Sequence, residues 1–194
     1  MSGALGAKTE PVEPRINVTP GELENFRTNF QLPYSKNLLI GLNPGAEYGP
    51  AKRWPLERFI ETVRQFRKVV PATFLIFGAK GDIVLANEIE SPLRSRDSKI
   101  VNAAGQTTLR ELCAGLALCD LLLTNDTGPM HIASAVGTPV VLLLDKRAPD
   151  SYLPQGDRHR VIYNNLIEDI SVDEVYVATR SILTSERSAT LFAG

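Results

Sequence analysis

The segment Leu121-Leu122-Leu123-Thr124-Asn125-Asp126-Thr127-Gly128-Pro129-Met130-His131-Ile132-Ala133 constrains the fold more than any other stretch. Its apolar run fits a parallel strand covered on both faces. Asp-Thr-Gly-Pro then supplies a turn, a cap and a proline tolerated only in the first turn of a helix. A buried strand therefore breaks directly into a helix amino terminus. In open α/β sheets ligands collect at that junction, where free N–H groups and the positive end of the helix dipole favour phosphate. Asp126, Gly128 and His131 all fall there. Singly, each has a plain structural reading: an N-cap, a tight turn and a first-turn histidine. Together, at the carboxyl end of a buried strand, they mark a candidate site.

The same rhythm of apolar strand, glycine-bearing turn and amphipathic helix recurs along the chain. Strands are predicted over Asn37–Leu42, Ala72–Phe77, Lys99–Ala103, Asp120–Thr124 and Val140–Leu144, with Arg160–Tyr163 as an edge strand. The helix after the first strand carries Leu56, Phe59, Ile60, Val63 and Phe66 on one face, and the helix before the fourth carries Leu109, Leu112, Cys113, Leu116 and Ala117. A further helix is predicted over Ile83–Glu90. The pairs Thr19/Glu22, Thr108/Glu111 and Ser171/Glu174 have the spacing of capping boxes, the last opening a final helix to about Leu183. Gly137 followed by Pro139 is a helix stop.

Strands alternating with helices give an α/β fold, a doubly wound parallel sheet of Rossmann-like type, assigned to residues 19–183. Residues 1–18, small, polar and proline-bearing, read as a flexible lead-in or linker remnant, and residues 184–194 as a loose tail. No Gly-x-Gly-x-x-Gly follows the first strand, which disfavours a nicotinamide dehydrogenase.

The connection after the first strand runs Asn43-Pro44-Gly45-Ala46-Glu47-Tyr48-Gly49-Pro50-Ala51-Lys52-Arg53-Trp54-Pro55. It is longer than such units usually need, and excess of this kind tends to be functional or disordered. It carries glycines suited to close backbone approach, Gly45 among them, and the adjacent cations Lys52 and Arg53. A solvated surface pair is the alternative reading of those two.

With 21 basic and 22 acidic side chains the net charge is -1, which argues against a nucleic-acid face or a polybasic membrane anchor and for a small-molecule partner. The 194 residues suit one domain, enough to bury roughly 70% of the surface of the unfolded chain. Cys113 and Cys119 lie in apolar contexts with no second ligand pair, so neither a disulfide scaffold nor a zinc site is expected, and a reducing cytoplasm is the natural compartment. No run reaches the ~18 apolar residues that span a bilayer, and no signal sequence opens the chain, so a soluble protein without a transmembrane segment is expected.

Three features coincide: Asn43-Pro44-Gly45-Ala46 ending in Lys52-Arg53-Trp54-Pro55, the strand end Phe77-Gly78-Ala79, and Asn125-Asp126-Thr127-Gly128-Pro129-Met130-His131-Ile132-Ala133. Their combination resembles glycosyltransferase family 9, the bacterial heptosyltransferases that build the inner core of lipopolysaccharide. The resemblance runs from about Arg15 to Leu183. It implies a GT-B architecture of two Rossmann-like halves facing across a cleft, of which this chain resembles the carboxyl-terminal, donor-binding half. The general base would lie on the acceptor half, so no catalytic residue is assigned in this chain, and a separate acceptor-domain chain is one way to supply it.

The resemblance implies an inverting, metal-independent transfer from a nucleotide-diphosphate sugar, ADP-heptose, to a lipid A-linked oligosaccharide. No cofactor or metal is expected. The place of work would be the cytoplasm or the inner face of the inner membrane. Charge developing on the departing pyrophosphate needs a metal or fixed cations and helix dipoles. No Asp-x-Asp pair suits a divalent ion, which leaves Lys52, assisted by Arg53, and the backbone N–H groups of Thr127 and Gly128. Asp126 is expected to cap the helix and meet the sugar, and His131 to donate to a phosphate or sugar oxygen. Asp82 is a weaker candidate for the ribose hydroxyls, and Gln106 and Thr107 for the nucleobase edge. Asp145-Lys146-Arg147 departs from the Gly-Pro-Ser or Gly-Pro-Thr common in the family. A nucleotide-sugar epimerase, an unrelated GT-B transferase and a catalytically silent nucleotide-sugar-binding or interaction module are the competing readings.

Overall fold

The computed structural model describes residues 14–35, 37–46, 49–94, 99–146, 153–154 and 158–186. The helices are α1 (Pro20–Asn29), α2 (Leu56–Val69), α3 (Ile83–Glu90), α4 (Leu109–Leu118), α5 (Gly128–Val136) and α6 (Val172–Glu186). The strands are β1 (Leu38–Asn43), β2 (Ala72–Ile76), β3 (Ile100–Asn102), β4 (Leu121–Asn125), β5 (Val140–Asp145) and β6 (Arg160–Asn164). They form one sheet in the order β3-β2-β1-β4-β5-β6, with every neighbouring pair parallel. The doubly wound, Rossmann-like fold expected from the sequence is the fold found. In this order the chain leaves β1 toward one edge and, from β4, fills the other, so the crevice at which strand order reverses lies between β1 and β4.

Alternation along the strands divides the core into two layers. Leu38, Ile40, Leu42, Phe74, Ile76, Leu121, Leu123, Val141 and Leu143 face α2, α3 and α6. Leu39, Leu75, Leu122, Val140, Leu142 and Leu144 face α1, α4 and α5. The apolar stripe of α2 does what its spacing predicts: Phe59, Val63 and Phe66 are buried in the first layer, each such side chain contributing about 1.5–3 kcal/mol on removal from water. Both faces of the central strands are covered, which is why β1, β4 and β5 read as continuous apolar runs.

Helix starts follow their side-chain signals. Thr19 and Glu22, Thr108 and Glu111, and Ser171 and Glu174 each exchange hydrogen bonds across the first turn. At the end of α5, Gly137 adopts φ 91°, a left-handed cap that a side chain would strain. Boundaries differ from the sequence reading in instructive places. β1, β4 and β5 each run one residue further than expected, to Asn43, Asn125 and Asp145, because those polar ends are buried rather than turned into solvent. β3 is shorter, and α6 continues past Leu183 to Glu186. The last residues assigned to the lead-in are also engaged: the Ile16 N–H donates to the Ala135 carbonyl, and Arg110 donates to the Asn17 carbonyl.

Candidate functional site

Lys52 and Asp126 meet at the β1/β4 crevice. Lys52 ends a short 3-10 turn (Pro50–Lys52) in the connection after β1, and Asp126 is the first residue after β4. Lys52 Nζ stands 3.9 Å from Asp126 Oδ2, and the two side chains are 30% and 29% exposed. A shallow depression beside them is lined by Lys52, Asp126, Leu143, Leu144, Asp145 and Ile167. The cation thus lies across the same crevice as the turn that opens α5.

That turn differs from its expected form in one respect. Asp126 does not cap α5. The N-cap is Thr127, with φ -152° and ψ 164°, and the helix begins at Gly128. The reason is local geometry: Asp126 lies one residue too early, and its carboxylate is directed toward Lys52. Thr127 does not accept from the first turn either. Its hydroxyl takes a 2.8 Å hydrogen bond from Asn43 Nδ2 and lies 3.3 Å from Thr124 Oγ1. The first turn of α5 therefore has no side-chain cap. Pro129 carries no N–H and the Met130 N–H donates to the Thr127 carbonyl, so the Thr127 and Gly128 N–H groups are the donors at the opening of the helix, and Gly128 is exposed with no atom in the space a Cβ would enter.

Two buried asparagines hold this edge together. Asn43, the last residue of β1, donates through Nδ2 to the hydroxyls of Thr124 and Thr127. Asn125, the last residue of β4, donates through Nδ2 to the carbonyls of Pro44 (2.8 Å) and Gly45 (3.2 Å), while its Oδ1 accepts the Trp54 N–H at 3.1 Å. Trp54 is fully buried, donates through Nε1 to the Ile170 carbonyl at 2.9 Å and packs edge-on against Phe59. Each strand end thus grips the loop or turn of its neighbour. Asn43, Asn125, Trp54 and Asp145 are absent from the sequence-derived set. The signal was present: an amide or acid closing an apolar strand must find hydrogen bonds when buried, so Asn43 and Asn125 point to a built polar edge.

The remaining candidates fall along the same carboxyl edge. Gly45 follows β1, and an added Cβ there would lie 2.6 Å from Asp82 Oδ2, so only glycine lets the Asp82 carboxylate pack against it. Asp82 Oδ2 also accepts the Ala79 N–H at 3.0 Å. Arg53 reaches the Ala46 carbonyl at 3.5 Å, and its Nε is buried with no hydrogen-bond partner. His131 is exposed on the first turn of α5. Thr107 and Gln106 follow β3, the edge strand, and Gln106 donates to the Asn102 carbonyl. With strands about 4.8 Å apart, the β3 end stands three strand spacings, on the order of 14 Å, from the β4 turn. Lys52, Arg53, Gly45 and the 126–128 turn are thus brought together around the crevice, with Asp82 against Gly45, while Thr107 lies out along the edge. Among the described residues no group of three His, Cys, Asp or Glu is placed to hold a metal ion.

Comparison with known proteins adds an independent finding. The family model for glycosyltransferase family 9 (heptosyltransferase) matches residues 1–178. Lipopolysaccharide heptosyltransferase 2 of Salmonella typhimurium is 32% identical over 191 residues, covering 89% of this chain and 54% of that protein. The solved structure of the E. coli ADP-heptose lps heptosyltransferase II superposes with a TM-score of 0.85 at 31% identity, covering 94% of this chain and 57% of that one. A glycosyl transferase family 9 protein from Veillonella parvula superposes at 0.82 with 25% identity and the same coverages. The chain spans little more than half the length of these relatives. By its sequence and its fold, the chain belongs to glycosyltransferase family 9, the heptosyltransferase family.

Proposed function

We infer that this chain is the donor-binding half of a lipopolysaccharide-core heptosyltransferase, holding a nucleotide-diphosphate sugar, ADP-heptose, at the β1/β4 crevice. The observation that carries the reading is the convergence of Lys52 with the uncapped first turn of α5 at the point of strand-order reversal. A pyrophosphate placed there would meet one ammonium and the Thr127 and Gly128 N–H groups at a helix amino terminus, which together stabilise charge on a departing nucleoside diphosphate. Arg53, next to Lys52 and hydrogen-bonded to the Ala46 carbonyl, adds a second positive charge to the loop. His131 would donate to a phosphate or sugar oxygen, and Asp126 would take sugar hydroxyls once the phosphate competes for Lys52. Gly45 and Asp82 would form the floor toward the ribose, and Thr107 would meet the nucleobase at the far end of the edge. The relatives' names, heptosyltransferase and ADP-heptose among them, support the sugar and nucleotide.

In this reading the acceptor, a lipid A-linked oligosaccharide, and the base that deprotonates its hydroxyl belong to an acceptor half facing this one, at the cytoplasmic side of the inner membrane. Transfer proceeds with inversion and without a metal, because fixed cations and the α5 dipole supply the positive field.

Calorimetric titration of the chain with ADP, UDP and GDP, each with EDTA and with magnesium, tests the proposal. ADP is expected to bind in preference to the other two and equally in both buffers. Absence of ADP binding, or binding that depends entirely on magnesium, would overturn it.

A further inference from the structure

We propose that Asn125 is a positioning residue: its one carboxamide clasps both ends of the connection between β1 and α2 and thereby holds Lys52 at the crevice. The inference rests on the donor-site reading above and concerns a residue that touches no substrate.

The geometry is unusually complete for one side chain. Nδ2 spends both its hydrogens on the carbonyls where the connection begins, Pro44 and Gly45, and Oδ1 accepts the N–H where it ends, at Trp54. Lys52 and Arg53 immediately precede that closing residue. The amide and Trp54 are fully buried, and Pro44 and Gly45 are buried, so none of these bonds exchanges readily with water. The connection is thereby pinned to β4, the strand that also delivers Asp126. The closing end is fixed a second time, because the Trp54 indole donates to the Ile170 carbonyl. Lys52 consequently has its backbone fixed two residues away from an anchor on the very strand whose turn it faces.

Only an amide satisfies this pattern, since two carbonyls need donors and one N–H needs an acceptor. Aspartate has the same shape and keeps the acceptor for Trp54 but offers lone pairs to two carbonyl oxygens. Leucine would fill the volume and make none of the bonds. Asn125→Asp therefore releases the opening of the connection while leaving the apolar core untouched.

The test is a double-mutant cycle on ADP binding by the 194-residue chain, with circular dichroism and thermal melting on every variant. Wild-type binding of ADP is the precondition; if it fails, the donor-site reading fails, whatever Asn125 does. Given binding, Asn125→Asp is expected to weaken ADP affinity roughly tenfold or more, the scale of a charge-assisted hydrogen bond lost. Lys52→Ala is expected to do the same. The double variant is expected to be no weaker than Lys52→Ala alone, because both changes remove one interaction. Additive losses, or a folded Asn125→Asp that binds ADP as the wild type does, would overturn the proposal. Hydrogen exchange on the wild-type chain keeps it falsifiable if the variant fails to fold: the Trp54 amide should be protected like those of β4, and exchange at the rate of an open loop would exclude the clasp.

Discussion

Lys52 Nζ and Asp126 Oδ2 face each other at 3.9 Å across the β1/β4 crevice, both side chains about one-third exposed. At that distance and exposure the pair is worth at most about 1 kcal/mol to the folded chain. Its value lies in holding a cation at a helix amino terminus without burying it.

Lys52→Ala should therefore leave the thermal midpoint nearly unchanged and weaken ADP binding by about tenfold or more, the loss expected for a charge-assisted contact to phosphate. Raising the salt concentration should weaken wild-type binding more than variant binding, since the screened term is the one the variant lacks. Calorimetry at two ionic strengths measures both. A large drop in midpoint with unchanged affinity would reverse the assignment.

Gly45 and Asp82 are matched by contact, since a Cβ on residue 45 would stand 2.6 Å from Asp82 Oδ2 and 2.7 Å from its Cγ. Asp82 has little freedom to withdraw while it accepts the Ala79 N–H. Gly45→Ala should destabilise the chain by about 1–3 kcal/mol, the usual cost of overpacking, and Asp82→Ala in the same chain should recover part of the loss. Urea unfolding of the two single variants and the pair decides; full additivity would show that the clash is not the cause.

The fold was legible because the signals that govern it are local and periodic. Apolar strands, the α2 stripe and three capping boxes lie in the sequence at fixed spacing, and each formed where its spacing placed it. The crevice was legible as well, since the Leu121–Ala133 segment contains both a buried strand and a helix start. What the sequence did not yield was the second layer of the site. Asn125 bonds to residues about 80 positions away, and nothing in its own neighbourhood tells a reader which backbone groups it will meet. The cap of α5 falls on Thr127 rather than Asp126 for a related reason. Asp and Thr are adjacent and both are good N-caps, and the choice between them was made by Asn43 and Lys52, which reach the turn from another strand.

The two cysteines should be chemically silent in the native chain. Both are buried free thiols, and burial pushes each thiol above its ordinary range, Cys119 far above it with the nearby Asp120 charge acting in the same direction. Cys119 Sγ also donates to the Gly115 carbonyl at 3.2 Å. Because the thiolate is the reacting species, a disulfide reagent at neutral pH should titrate no thiol until denaturant is added and then two. Prompt reaction of either under native conditions would contradict their placement.

Three carboxylates that the helix starts hold in their charged form contribute to acid stability. The Thr19 backbone N–H holds Glu22 first, the Arg110 guanidinium next and the Thr19 hydroxyl after that, lowering its pKa from 4.5 to about 2. Glu111 and Glu174 are lowered by the same pattern, Glu111 chiefly by the Thr108 backbone and Glu174 chiefly by the Ser171 side chain. The folded-state values lie below the unfolded ones, so the unfolded chain binds more protons as the pH falls. The stabilisation is then complete above the unfolded value near 4.5 and is lost as the pH falls toward 2. Unfolding free energy from urea titrations should accordingly be flat above about pH 6 and decline steadily between about pH 5 and pH 2. Glu22→Gln keeps a side chain able to reach the Thr19 backbone but carries no proton to release, so it should lower stability at neutral pH and flatten the acid slope. If the variant shows the wild-type slope across that window, the Thr19–Glu22–Arg110 cluster does not hold a charged carboxylate in solution.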